Sequence, residues 1–166
     1  MEPAASQEPA TTLRAARGYD APAIARIWHA GWPDGHLGNV PDVLLAFRDE
    51  ASFSRRAADR IADTTVAVVG GEVVGFTMVV ADELEQIYVA ASHRGIGVAD
   101  ALIGDAERRI RAAGHDRAWL AVVPGNTRAR RFYERRGWTD EGPFEYPAEA
   151  GSEPVQVPAQ RYVRML

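Results

Sequence analysis

The 166-residue chain contains no cysteine and no lysine; its 19 basic residues are all arginine. Without cysteine it can form no disulfide, no thiolate nucleophile and no Cys-ligated zinc or iron–sulfur site. Without lysine it can supply no Walker-type phosphate lysine, no Schiff base to pyridoxal phosphate and no Ser–Lys dyad. Covalent and metal chemistry is thereby narrowed to Ser, Thr, His, Tyr and carboxylates. No apolar run approaches the roughly 20 residues that cross a bilayer, which argues against a membrane partner. A basic excess is also missing: 19 basic against 23 acidic residues leave a net charge of −4, and a nucleic-acid partner would favour the opposite sign. The chain is 46% hydrophobic, enough for a packed core, and its length suits one domain. Met1 to Ala10 is rich in Pro, Ala and Glu and lacks the basic start and apolar middle of a secretory signal. It is expected to be a disordered tail on a cytoplasmic protein, with residues 11–166 as the folded domain.

Thr11 to Arg17 reads as a first strand. Asp20 can cap a helix carrying Ile24, Ile27 and Trp28 at helical spacing, which Gly31-Trp32-Pro33-Asp34-Gly35 is expected to interrupt. A second helical region is expected over about Asp42 to Ile61. Thr64 to Val69 is apolar and β-branched, and with Glu72 to Val80 and Glu83 to Val89, joined by the short turns Gly70-Gly71 and Ala81-Asp82, it predicts an antiparallel meander. The stripe Val98, Leu102, Ala106, Ile110, Ala113 predicts a helix ended by Gly114. A strand over Arg117 to Val123, a helix over Thr127 to Arg136 and strands over Trp138 to Tyr146 and Val155 to Leu166 complete the chain. The order β-α-α-β-β-β-α-β-α-β-β predicts an α/β (α+β) fold. One mixed, mostly antiparallel sheet of about seven strands has helices on both faces, and its fourth and fifth strands are parallel because a helix connects them.

The strongest site signal is Arg94-Gly95-Ile96-Gly97-Val98-Ala99, between a strand and a helix. A helix N-terminus presents unpaired N–H groups and a partial positive charge, glycines let the main chain approach an oxyanion, and Arg94 adds a cation. The loop would suit a pyrophosphate; the plainer alternative is a tight turn that needs two glycines. The dinucleotide fingerprint G-x-G-x-x-G fails, because Asp100 stands where the third glycine belongs.

Residues Glu83 to Trp138 resemble the GCN5-related N-acetyltransferase (GNAT) superfamily. Arg94, Gly97 and Ala99 fill that family's Gln/Arg-x-x-Gly-x-Gly/Ala signature. Ile87-Tyr88-Val89 resembles the end of its fourth strand, and Asn126, Ala129, Phe132-Tyr133 and Gly137-Trp138 resemble its Asn-x-x-Ala-x-x-Phe-Tyr-x-x-x-Gly-Phe stretch. The resemblance implies transfer of an acetyl group from acetyl-CoA, with no metal, to an amine of a small molecule or peptide. It implies splayed fourth and fifth strands, the pantetheine arm beside Ile87, Tyr88 and Val89, and the pyrophosphate over residues 94 to 99. It also implies a cofactor contact from Asn126, an oxyanion donor in a main-chain N–H near Ile87, and a homodimer formed through the late strands.

A neutral amine is needed for attack, and for a Lys-like amine holding that form at pH 7 costs roughly 4.6 kcal/mol. Glu83 and Glu85 are the candidate bases, with Glu83 preferred from its match to a base of some family members; both are alternatively solvated charges at a strand start. Simple alternation puts them on one face with Ile87 and Val89, and Leu84 and Gln86 on the other. Tyr133 matches the family's general acid, and could otherwise be a core aromatic. For the acceptor side, Trp28, His29, Trp32, Asp34 and His36 come into view, and more weakly Tyr146, Arg161 and Tyr162. Trp28 could equally be core and His36 on a surface loop. His93 and His115 read as structural or exposed. Arg128, Arg130, Arg131, Arg135 and Arg136 read as a solvated helix face, with the alternative that one or two meet the cofactor's 3′-phosphate. A non-catalytic acyl-CoA-binding sensor is the alternative function.

Overall fold

The computed structural model describes residues 9–166; most of the tail expected over Met1 to Ala10 lies outside the described residues. Seven strands, β1 (Thr12–Ala15), β2 (Thr64–Val69), β3 (Glu72–Val80), β4 (Glu83–Val89), β5 (Arg117–Val122), β6 (Thr139–Ala148) and β7 (Val155–Met165), form one sheet in the order β1-β2-β3-β4-β5-β7-β6. Every neighbouring pair is antiparallel except β4 and β5. Those two run parallel and pair only at Glu83 and Trp119, where the Trp119 N–H donates to the Asp82 carbonyl at 3.0 Å. Beyond that point the two strands share no pairing, and the sheet opens into a cleft.

Helices α1 (Ala21–His36) and α2 (Glu50–Asp59) cover one face, and α3 (Val98–Ala112) and α4 (Thr127–Arg135) the other. Ile24, Trp28, Trp32, Phe53 and Ala57 pack on Val66, Phe76 and Met78. Ile103, Ala106 and Ile110 of α3 and Tyr133 of α4 pack on Leu84, Leu120 and Trp138. Each fully buried large side chain contributes about 1.5–3 kcal/mol of hydrophobic stabilisation.

Two local expectations are corrected. Gly31 to Gly35 does not break the first helix: α1 is continuous through His36, with Pro33 inside it and the Leu37 N–H reaching the Pro33 carbonyl at 3.1 Å. An interior proline costs a helix about 3 kcal/mol. Here Trp28 and Trp32, one turn apart, are 1% and 6% exposed, and their burial offsets that cost. The glycines serve close approach. A Cβ on Gly31 would lie 2.8 Å from the Tyr88 ring and one on Gly35 2.5 Å from the Asn126 amide. The second helical region is also not one helix. Asp42–Phe47 forms a 3-10 turn, Arg48 and Asp49 leave helical geometry, and α2 starts anew with the Asp49 carboxylate accepting the Ser52 N–H at 2.8 Å.

Candidate active site

The cleft between β4 and β5 holds a groove of about 480 Å³. At one end is the loop into α3. Gly95 and Gly97 have φ of +79° and +92°, a region that favours glycine, and a Cβ on either would meet nothing within 4 Å. No side chain caps α3, so its first-turn N–H groups are left for an external acceptor. Arg94 reaches over the groove to Asp34 at 3.2 Å. Asp100 in the first turn is turned toward Arg136, at 3.8 Å. Arg94, Gly95, Gly97 and Ala99 line the groove, whereas Val98 is in the core and Ile96 is 52% exposed, away from it. Those two positions can offer only main chain.

Along the groove, Ile87, Tyr88 and Val89 supply one wall and Ala121, Val122 and Val123 the other. The Ala90 N–H bonds to Val74 on β3 at 2.7 Å. Since main-chain groups alternate sides along a strand, those of Ile87 and Val89 face the open side. Asn126 lines the groove and also caps α4, accepting the Ala129 N–H at 3.3 Å. His93, expected to be structural or exposed, lines the groove mouth and contacts the Ser92 hydroxyl at 2.8 Å. Of the arginine cluster, Arg128 and Arg135 line the groove, while Arg130 binds Tyr162, the Pro124 carbonyl and Asp140.

The chemistry-bearing side chains gather where the groove meets a second pocket of about 240 Å³; His36, Glu85, Gln86, Ala121 and Val123 line both. Simple alternation fails here. Gln86 is opposite Met78 but Leu84 is opposite Val79, so Glu85 is an extra residue in a β-bulge. The bulge returns Glu83, Glu85 and Gln86 to one cavity and sends Leu84 and Ile87 to the α3 side, correcting the expected sharing of a face by the glutamates with Ile87 and Val89. Glu85 is ion-paired with Arg60. Glu83 accepts the Tyr146 hydroxyl at 2.6 Å. Burial raises the Glu83 carboxyl above its ordinary range, against the opposing pull of that hydrogen bond. Burial, and then the hydrogen bond to Glu83, raises the Tyr146 phenol.

Tyr133 is 8% exposed among Phe132, Trp138 and Tyr162, and it lines the groove. Burial raises its phenol above the usual value, so it is protonated at neutral pH. Tyr133 is thus a core aromatic that also reaches the groove.

His36 is not on a surface loop but in the last turn of α1, stacked on Trp32 at 4.7 Å. Its Nδ1 is 2.8 Å from the Trp32 carbonyl. A carbonyl only accepts, so Nδ1 carries the hydrogen and Nε2 is left as an acceptor. Burial, with help from Arg48 and Arg56, brings the imidazole down to about 4. Trp28, His29 and Trp32 are outside both cavities; Trp28 is core. Tyr162 is fully buried, and Arg161 covers Trp119 and Phe144. Arg48, Arg56, Arg60, Gln86 and Glu149 were not foreseen in the second pocket; no local motif marks them, since the segments flanking and including α2, the end of β6 and the bulge in β4 bring them together. Among the described residues no group of three or more His, Asp or Glu could hold a metal ion, and no helix is long and apolar enough to cross a membrane.

Known proteins match this arrangement. The model of the acetyltransferase (GNAT) family matches residues 22–138. An uncharacterized N-acetyltransferase of Mycobacterium tuberculosis is 30% identical over 112 residues, which is 62% of this chain and 72% of the relative. The PaiA N-acetyltransferase from Thermoplasma acidophilum, solved in complex with coenzyme A, superposes with a TM-score of 0.74 at 15% identity, over 95% of this chain and 99% of that one. The Salmonella typhimurium protein yncA, solved with acetyl-CoA, superposes with a TM-score of 0.68 at 16% identity, over 95% and 94%. At such identities the two structures establish the common fold. The chain belongs to the acetyltransferase (GNAT) family and is an acyltransferase enzyme.

Proposed function

We propose that this enzyme transfers the acetyl group of acetyl-CoA to a primary amine of a small molecule or peptide by direct attack. The observation that carries the proposal is one continuous path: an uncapped helix N-terminus, an unpaired stretch of β4, and a groove that carries Tyr133 and meets, at Glu85, the second pocket lined by Glu83. Bound acetyl-CoA supplies an activated thioester. The residues present fit it, since the two left-handed glycines leave open space above the first turn of α3 and the cleft beyond Glu83 is free of strand pairing.

In this assignment the N–H groups of residues 95 to 99, with Arg94, hold the diphosphate, and Arg128 or Arg135 meets the 3′-phosphate. Ile87 and Val89 pair their main chain with the pantetheine arm as with an added strand, and Asn126 contacts it from the other wall. The Ile87 N–H faces the reacting carbonyl oxygen, where it would stabilise developing negative charge. Glu83 removes the amine proton. Its raised carboxyl is a stronger base than an ordinary glutamate, and Glu85 is engaged by Arg60. Tyr146 fixes the Glu83 carboxylate, His36 offers Nε2 to orient the amine, and the Tyr133 hydroxyl protonates the departing thiolate.

The test is calorimetry with acetyl-CoA followed by an amine panel scored for free CoA. Acetyl-CoA is expected to bind tightly enough to raise the melting temperature, and at least one primary amine to release CoA above background. Well-folded protein that gives no heat and no thermal shift would end the proposal.

A further inference from the structure

The second pocket carries more positive charge than the transfer chemistry uses. Its walls hold Arg48, Arg56 and Arg60 together with Glu83, Glu85 and Glu149. Arg60 is paired with Glu85, and Arg56 Nε is 3.3 Å from Glu149. Two groups are left over. Glu83 has only the Tyr146 hydroxyl, and Arg48 has no carboxylate within 4 Å among the described residues. The Arg48 guanidinium donates to the adjacent Phe47 carbonyl at 2.9 Å and lies 6.0 Å from the Trp32 ring centroid. Its Nε is buried without a partner, and so is Nη1 of Arg56, a residue 7% exposed.

Arg48 is half-buried, and a partly desolvated cation without a carboxylate partner beside a like charge is costly. Burial, and then Arg56, lower Arg48 to about 10, so it stays charged at neutral pH. That wall therefore presents one positive charge without a carboxylate partner, and two N–H donors without partners are buried behind it. Glu83, on the β4 wall, presents one carboxyl. The complement is a molecule with an amine at one end and an anion at the other. The pocket has about eight times the volume of a liquid water, room for a small molecule.

We infer that the acceptor is a small amine bearing its own oxyanion, an amino carboxylate or a close analogue, whose anionic group is held by Arg48 with Arg56 while the amine faces Glu83. The inference takes the site of acetyl transfer proposed above and names its substrate class; the binding half of its test does not depend on turnover.

Glycine, β-alanine, γ-aminobutyrate, taurine and phosphoethanolamine are compared with ethylamine, propylamine, butylamine and alaninamide. Calorimetry on CoA-saturated protein reads binding, and CoA release from acetyl-CoA reads turnover. At least one amino oxyanion is expected to bind, and to exceed the plain amine of matching length by about tenfold to a hundredfold, the range of a charge-assisted contact. The carboxylate, sulfonate and phosphate-ester members separate the kinds of anion. Arg48→Gln should collapse the ratio of oxyanion to plain amine toward one, chiefly through KM, and Arg48→Lys should restore part of it. Plain amines used as well as their anionic counterparts, or no binding of any amino oxyanion, would overturn the inference while leaving acetyl transfer intact. Amino oxyanions that bind but are never acetylated would support the anion subsite and sink the transfer reading instead.

Discussion

The two halves of the proposed site are built on different principles. The donor half, from β4 through the α3 loop to α4, is made largely of main chain: helix N–H groups, two left-handed glycines and an unpaired strand edge. The acceptor half is made of side chains from four separate places: His36 at the end of α1, Arg48 to Arg60 around α2, Glu83 and Glu85 on β4, and Tyr146 on β6. Backbone recognition needs only a local conformation, which a few contiguous residues dictate. Side-chain recognition needs distant segments brought together, and can change without disturbing the fold.

Each of five perturbations sharpens this contrast. The largest effect is expected from Gly97→Glu. It puts a side chain and a negative charge into the open space above α3, at a φ that costs a non-glycine residue about 1–2 kcal/mol. Acetyl-CoA affinity should fall by at least about a hundredfold by calorimetry, with near-native circular dichroism; retained affinity would remove the loop from the donor site.

Tyr133→Phe keeps the ring packing and removes one hydroxyl. Turnover should drop about a hundredfold, the scale of general acid catalysis, while acetyl-CoA still binds. Unchanged kcat would reduce Tyr133 to a core aromatic.

Glu83→Gln should lower neutral-pH turnover by about tenfold to a hundredfold. In the parent, kcat should fall as pH drops through the raised Glu83 value, because the protonated carboxyl accepts no proton. The variant should lose that limb. If Glu85→Gln abolishes the limb instead, the base assignment passes to Glu85.

His36 predicts a stability effect confined to the acceptor side. Its folded value is about 4 against an ordinary value near 6.5, so protons favour the unfolded chain. Stability should be fully present above about pH 6.5 and fall by roughly 2–3 kcal/mol as the pH drops toward 4. Chemical denaturation at several pH values measures this, and His36→Gln should flatten that part of the curve. An equal slope in parent and variant would mean the imidazole titrates normally.

The smallest effect is expected from Gly31→Ala. The helix interior gains propensity, but the new methyl lies 2.8 Å from the Tyr88 ring, so α1 or the ring must shift. A net destabilisation of about 1 kcal/mol is expected in urea, with kcat/KM falling further than stability because Tyr88 lines the groove. A stabilised variant would show that close approach of α1 is not needed there.

The order of elements, the crossover between β4 and β5 and the glycine-rich entry to α3 were legible because each follows from local periodicity or from one conformational demand. Three features were not. The run Gly31-Trp32-Pro33-Asp34-Gly35 carries every local sign of a break, yet it is helical because the sheet receives Trp28 and Trp32, and Tyr88 and Asn126 fit against the bare glycines. The bulge at Glu85 has no signature in the residues themselves; it is set by the register of β3 against β4. The arginines of the second pocket look like ordinary surface charges of a polar helix, and only the seating of α2 on the sheet turns Arg56 inward over Trp28, at 4.3 Å.

Composition and periodicity alone settled which chemistries were closed to this chain, how its elements alternate and where a glycine-rich turn leads into a helix, since these depend on residue identity and near neighbours. Packing decided which carboxylate is half-buried beside a tyrosine, which histidine is held neutral and which arginine is left without a counterion. Those properties arise from desolvation and from charges far apart along the chain, and they exist only once the helices have closed over the sheet.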